Sequence, residues 1–428
     1  MKKNGSVQNW FRRVRARVFR PSLGLFDAAA ISLGAIIGGG IFVVTGIAAG
    51  YAGSAVVISM LIAGIISMLT ALSFIELTAW LPKEGGAYEY AYRMISPFGG
   101  FLSGWMWMLS TTFAGAAVSL SFAYYFTAIF PVMPPTFIAA VLCIGFTILN
   151  YYGIKESALV NNLLLVLELL ILAFFCVFGA FFIKSANFGT FVPLQTGVLF
   201  GAFYIFFAFG KFARVSVVAE EVKDAKRNVP KALLLSIALS VIFYNVVSLV
   251  AVGLVGASRL AGSNSPLKLA IAATGSSGAV YLVSVAGLLA TASVLLTSIL
   301  GVSRMAYAMA KRDALPQSLG QLHAEHNTPY LSVLVSGGIM TLFALTIGLS
   351  SVIAISTFSM LIYYAAANIS AMRLKAENRN YPRIIPFLGT ASCLGLLAFV
   401  LFISTRAWIA GALGLLVGAI YYAANRRA

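Results

Sequence analysis

Charge is scarce in this chain. Only 10% of its 428 residues are charged, and 12 acidic residues face 29 lysines and arginines. So little charge cannot solvate a globule of this size, and with 61% of residues hydrophobic a soluble fold is excluded. Cysteine is nearly missing: Cys143, Cys176 and Cys393 each stand alone in an apolar stretch. That spacing excludes a disulfide framework and leaves three small buried hydrophobes. The two histidines lie together in "HAEH" at 323 to 326 with no further ligand nearby, so no metal is expected. A phosphate-binding loop of the G-x-x-x-x-G-K-[ST] type is absent, which removes ATP as a direct energy source. The spans offer no nucleophile beside a base, so an enzyme is not expected, and neither is a cofactor.

What the chain has in abundance is apolar runs long enough for a bilayer core, which takes about 20 helical residues. Twelve spans are expected near 24–50, 54–80, 98–130, 136–152, 158–183, 196–219, 232–256, 278–310, 330–349, 351–373, 384–404 and 406–424. Basic residues near span ends stay on the cytoplasmic side. With both termini cytoplasmic, Lys184, Arg259, Lys268 and Arg406 lie outside, Lys211 and Arg214 lie within span 6, and the other 23 lie in the inner segments or toward the inner ends of spans. The formal charge of +17 is therefore a topology signal for the plasma membrane, attracted to an anionic inner leaflet, and no nucleic-acid partner is expected. "NWFRRVRARVFR" at 9 to 20 reads as a basic lead into span 1, and no cleavable signal peptide is expected.

"GAIIGGGIF" at 34 to 42 interrupts span 1 with three consecutive glycines, each costing a helix roughly 1 kcal/mol against alanine. A second disturbed span is "FFAFGKFARVSVVAEE" at 206 to 221, where Gly210, Lys211 and Arg214 break an apolar run. Five spans separate the two starts, the spacing of inverted five-span repeats whose broken helices meet at a transport site. Unwound backbone in lipid strands polar groups, so it survives only where protein, water or a ligand satisfies it. An amino acid supplies what is missing. N–H groups around Gly38, Gly39 and Gly40 would take its carboxylate, aided by the dipole of the following half-helix. Carbonyls of Ala35, Ile36 and Ile37, with those of Phe206, Phe207 and Phe209, would take its ammonium. The competing reading is that Gly34-x-x-x-Gly38 is a helix-packing motif.

Four stretches, "LFDAAAISLGAIIGGGIF", "ELTAWLPKEGGAYEYAYR", "AEEVKDAKRNVPKA" and "GVSRMAYAMAKRDALP", follow one another in the order seen in a known family. On them the sequence resembles the amino acid-polyamine-organocation (APC) family of secondary transporters over nearly its whole length. The resemblance implies an all-α membrane protein of twelve transmembrane helices. It also implies a LeuT-like 5+5 inverted repeat, with discontinuous helices 1 and 6 and two extra C-terminal helices. The expected organisation is a basic segment 1–23, a first repeat 24–183, a second repeat 196–373, and two added helices in 384–424. The resemblance further implies an amino acid or related amine as ligand, covered by an aromatic residue of span 6 (Phe206, Phe207 or Phe209), and an inner gate that includes Tyr88. Many relatives carry glycine where Lys211 stands and an acidic residue where Ala213 stands, so a cation is placed near the expected ligand.

Ionisable groups within the bilayer are costly and each calls for a function. Glu168 lies about ten residues into span 5, roughly 15 Å along the helix at 1.5 Å per residue. Three readings stay open for it: a proton carrier that couples transport to a pH gradient, a fixed ion pair with Lys211 or Arg214, or a sodium ligand assisted by Ser293 or Thr291. Lys211 either neutralises Glu168 or reaches an acidic group on the ligand. Glu76, Glu220 and Glu221 are expected to pair with inner-loop bases, and Asp27 to cap span 1. The expected function is a permease moving an amino acid or amine by alternating access, as symporter or antiporter, with protons as the expected coupling ion. An exchanger, or a nutrient sensor that binds without transport, is the alternative.

Overall fold

The computed structural model describes residues 23–81, 85–153, 158–217 and 222–425. The basic segment at 9 to 20, with Glu220 and Glu221, lies outside the described residues. Seventeen α-helices follow one another among the described residues, with no β-strand. They are α1 (Leu25–Ile37), α2 (Ile41–Ala52), α3 (Val56–Trp80), α4 (Ala87–Met94), α5 (Pro97–Ile129) and α6 (Pro135–Tyr152). Next come α7 (Ala158–Ala180), α8 (Thr196–Phe209), α9 (Arg214–Val217), α10 (Ala225–Val255), α11 (Ala257–Ala261) and α12 (Pro266–Ala272). The last five are α13 (Ser277–Ala310), α14 (Tyr330–Thr346), α15 (Leu349–Met372), α16 (Ile384–Ile403) and α17 (Thr405–Asn425).

Ten helical stretches are long and apolar enough to cross a membrane, and Leu25–Ile37 and Tyr330–Thr346 are shorter apolar helices. The stretch Ile41–Trp80 is divided at Gly53, whose positive φ of 59° opens a short 3-10 turn between α2 and α3. Most helix ends fall within three residues of the sequence expectation. The exception is α10, which starts at Ala225 instead of 232 and carries Pro230 inside it. Pro230 is the sixth residue of that helix, past the four amides that have no acceptor within it, so the Lys226 carbonyl goes without its usual helical donor.

The long helices α13 and α15 pack on α5 at the centre, α10 lies against α1 and α3, and α2 lies against α8. The helix α8 is buried almost throughout, from Gly201 to Phe209. By contrast α16 and α17 show most of their residues to the surroundings. A helix apolar all round yet little buried suits the lipid boundary. The two disturbed segments therefore sit inside the bundle. The short helices α11 and α12 cover one end: a Cβ on Gly46 of α2 would lie 2.7 Å from the Leu260 carbonyl oxygen.

Candidate functional site

Span 1 is broken where the glycines stand. The helix α1 ends at Ile37, Gly38 leaves helical geometry at φ −47° and ψ −172°, and α2 begins at Ile41. Gly38 N–H still donates to the Gly34 carbonyl at 3.0 Å, and the Gly40 carbonyl accepts from Val43 and Val44 to start α2. Between them, the N–H groups of Gly39 and Gly40 meet no acceptor, and the Ala35 carbonyl no donor, among the described residues. Span 6 breaks similarly, since α8 ends at Phe209 and turns through Gly210 to Ala213 before α9. There the carbonyls of Phe207 and Ala208 receive no main-chain N–H among the described residues.

The two breaks touch. A Cβ built on Gly40 would fall 2.7 Å from Ala208 Cβ and 2.8 Å from its Cα. On Gly39 it would meet Thr291 and Val118, and on Gly38 it would lie 2.3 Å from Val294 Cγ2. The triple glycine thus does two jobs: it interrupts the helix, and it lets α8 and α13 approach its backbone closely. The packing reading holds for Gly38, but Gly34 has its nearest neighbour, Leu165, at 3.8 Å and is not a tight contact.

Several carbonyls expected to await a ligand are already occupied. Tyr244 of α10 donates its hydroxyl to the Ile36 carbonyl at 2.6 Å. The Phe206 carbonyl accepts from Gly210 N–H at 2.9 Å, and that of Phe209 from Phe212 N–H at 3.4 Å. The hydroxyls of Tyr363 and Tyr364, both on α15, converge on the Gly210 carbonyl. Gly210 is also tight against Met360, where a side chain could not fit unless the methionine moved. Sequence reasoning missed these tyrosines. The available signal was a phenol in a fully apolar run, which needs a buried acceptor, and broken backbone is where spare acceptors lie.

Beside the span 1 break lies a small polar cavity bordered by Gly34, Ala35, Glu168, Arg214, Ser293 and Val294. It leaves about 10 Å³ open to the centre of a water molecule, room for about one water. The structure thus brings together Ala35, Glu168 and Ser293. Thr291 is placed differently, against Gly39, with its hydroxyl on the Gly287 carbonyl at 2.6 Å. Glu168 and Lys211 form no ion pair, which was one of the arrangements the sequence left open. The Lys211 ammonium lies over the Phe207 ring, 5.2 Å from its centroid. Arg214 is the cation that shares the cavity with Glu168, and it also donates to Thr297 Oγ1 at 2.7 Å. Two residues separate the two cations along the sequence, and the turn between α8 and α9 sends them to different neighbours.

The ion pairs among the described residues centre on Glu89 of α4. Its carboxylate, 3% exposed, takes Arg93 Nε and Arg312 at 2.7 Å each. The Arg312 guanidinium is 5.5 Å from the ring centroids of both Tyr88 and Tyr92. Burial alone would raise the Glu89 carboxyl, but the hydrogen bonds from Arg312 and Arg93 outweigh it and hold it below the ordinary carboxylate value. Burial pushes the Tyr88 phenol up, against the pull of Arg312. Tyr88 therefore lies where α4 is tied to the residues just past α13. Glu76 does not pair with a base as expected; its carboxylate accepts the main-chain N–H groups of Asn380 and Tyr381 at 2.9 and 2.7 Å. Asp27 accepts the Gly24 N–H at 2.9 Å, a cap, and also takes the Asn162 amide of α7 at 2.7 Å.

Residues 23–422 match the family described as Amino acid permease. The chain is 33% identical over 410 residues to an uncharacterized transporter of Mycobacterium tuberculosis, covering 95% of this chain and 92% of that protein. It is 29% identical over 432 residues to the branched-chain amino acid permease BcaP of Bacillus subtilis, covering 94% and 92% of the two. It is 26% identical over 429 residues to a methylthioribose transporter of the same organism, again covering 94% and 92%. A chain of membrane-length helices whose two interrupted segments meet in its interior, matched in this way from end to end, belongs to the amino acid permease family of membrane transporters and is not an enzyme.

Proposed function

We propose that this chain is a secondary transporter that moves an amino acid across the plasma membrane by alternating access, driven by a proton gradient. In this reading the two halves of span 1 are α1 and α2, and those of span 6 are α8 and α9. Twelve spans result, in repeats 24–183 and 196–373 with two added helices in 384–424. The observation that carries the proposal is the meeting of two broken segments whose polar backbone is left over: Gly39 and Gly40 N–H on one side, Ala35, Phe207 and Ala208 carbonyls on the other. Unpaired groups of this kind in an apolar interior are costly unless something completes them. A zwitterion offers a carboxylate to the first set and an ammonium to the second. BcaP, a relative of comparable length named for branched-chain amino acids, supports that solute class.

The site is closed in this conformation. The glycines are packed on Val294, Thr291 and Ala208, and the adjoining cavity has room for about one water. Ligand entry thus requires α1 and α9 to separate from α13, a motion of half-helices about a fixed centre. Glu168, facing that cavity, is assigned the proton, with Ser293 and Arg214 as its neighbours.

Purified protein in liposomes tests the reading. Uptake of a labelled amino acid should rise when the lumen is made alkaline, and binding without any flux would instead favour a sensor. The solute panel should include methylthioribose. For coupling, Glu168→Gln should abolish the dependence of uptake on an imposed pH gradient, and unchanged dependence would remove Glu168 from that role.

A further inference from the structure

Lys211 meets no carboxylate among the described residues. Its ammonium rests on the Phe207 ring, and the nearest charge along the chain is another cation, Arg214. The described carboxylates in or beside the spans are all otherwise placed. Glu76 holds main-chain N–H groups of Asn380 and Tyr381, and Asp27 caps α1 and binds Asn162. Glu89 is saturated by two arginines, while Glu168 lines the cavity shared with Arg214. No ion pair of Lys211 exists among the described residues. A lysine at membrane depth with no counter-charge among the described residues points to a partner that comes and goes.

The position of Lys211 indicates which partner. It lies in the turn between α8 and α9, and it reaches back over Phe207, the neighbour of the Ala208 that touches Gly40. The Gly39 and Gly40 amides already provide for an amino acid's own carboxylate, and the Ala35, Phe207 and Ala208 carbonyls for its ammonium. Lys211 is surplus to a neutral amino acid. We infer that Lys211 is a specificity-determining residue, and that the preferred substrate is an amino acid whose side chain carries a second carboxylate. The inference rests on the transport reading above and narrows its solute class.

Isosteric pairs that differ only in charge provide the test. Glutamate against glutamine, and aspartate against asparagine, compete for counterflow uptake into liposomes holding wild type, Lys211→Met or Lys211→Arg. Wild type should favour the acidic member at least tenfold, the order expected for one hydrogen-bonded charge contact. Lys211→Met should bring the acid-to-amide ratio close to one, and Lys211→Arg should retain the acidic preference. Equal competition by both members in wild type, or a ratio unchanged in Lys211→Met, would overturn the inference. Because the wild-type ratio needs no variant, a Met protein that fails to fold leaves the test decisive. Uptake of neutral amino acids alone would defeat the role of Lys211 and leave the transport reading standing, whereas no uptake or binding of any amino acid would remove both.

Discussion

Gly34 and Gly40 are six residues apart in the same glycine-rich stretch, yet their surroundings demand different things. A methyl on Gly40 would press on the backbone of Ala208, which cannot swing away as a side-chain tip can. We expect Gly40→Ala to destabilise by about 1–3 kcal/mol, as overpacking does. Gly34→Ala, with 3.8 Å to Leu165, should stay within about 0.5 kcal/mol of wild type. Thermal melts in one detergent check both, and equal losses would return the whole stretch to a helix-packing motif. The tyrosines make a second point at this scale. Tyr244→Phe leaves the buried Ile36 carbonyl without its donor at 2.6 Å, so it should cost about 1–3 kcal/mol. None of the three hydroxyl contacts to the breaks was legible in the sequence, because a hydroxyl's partner lies up to 208 residues away along the chain. Glycine runs, by contrast, act locally on helix propensity and were readable as they stand.

Elements carry the conformational consequences. The helix α4 is fastened to the residues after α13 through Glu89, Arg93 and Arg312, with Tyr88 and Tyr92 flanking the guanidinium. Glu89→Gln should weaken this tie and favour opening at that end, read as faster labelling of a Ser293→Cys reporter by a thiol reagent. An unchanged labelling rate would show that the cluster does not hold the end shut. The pH dependence follows from sign. A carboxyl held below its ordinary value of 4.5 contributes its full stabilisation above that value and loses it as pH falls through the folded value. The tie should therefore be insensitive to pH near neutrality and weaken only in strong acid. Sequence reading placed Tyr88 in this region through resemblance, but Glu89 drew no notice. Its partner Arg312 stands 223 positions downstream, and only the packing of both α4 and α13 on α5 makes the two neighbours. Helix existence and type were legible from apolar periodicity and breakers, and the early start of α10 at Ala225 was not, since Pro230 reads as a stop.

At the scale of the molecule, the distribution of bases predicts orientation. All but six of the 29 lysines and arginines lie on one expected side, so both termini should be cytoplasmic. Tags at either end should resist protease in right-side-out vesicles, while a site placed beside Arg406 should be cut. Cleavage of the terminal tags would reverse the inside and outside assigned here. Family membership was also legible at this scale, since it rests on several motifs in order along one chain, and the family match over residues 23–422 agrees with it.

What the amino-acid order determined alone is whatever acts over a few residues: membrane insertion, the location of the helix breaks at Gly38 to Gly40 and after Phe209, and the orienting bias of charge. Those depend on local apolarity, backbone propensity and proximity to the lipid surface. Tertiary structure decided the pairing of distant groups, setting Tyr244 on Ile36, Arg214 rather than Lys211 beside Glu168, and Arg312 on Glu89. The physical reason is that contact energies fall off within a few ångströms, and which side chains come that close is settled by how the helices cross, not by their spacing in the chain.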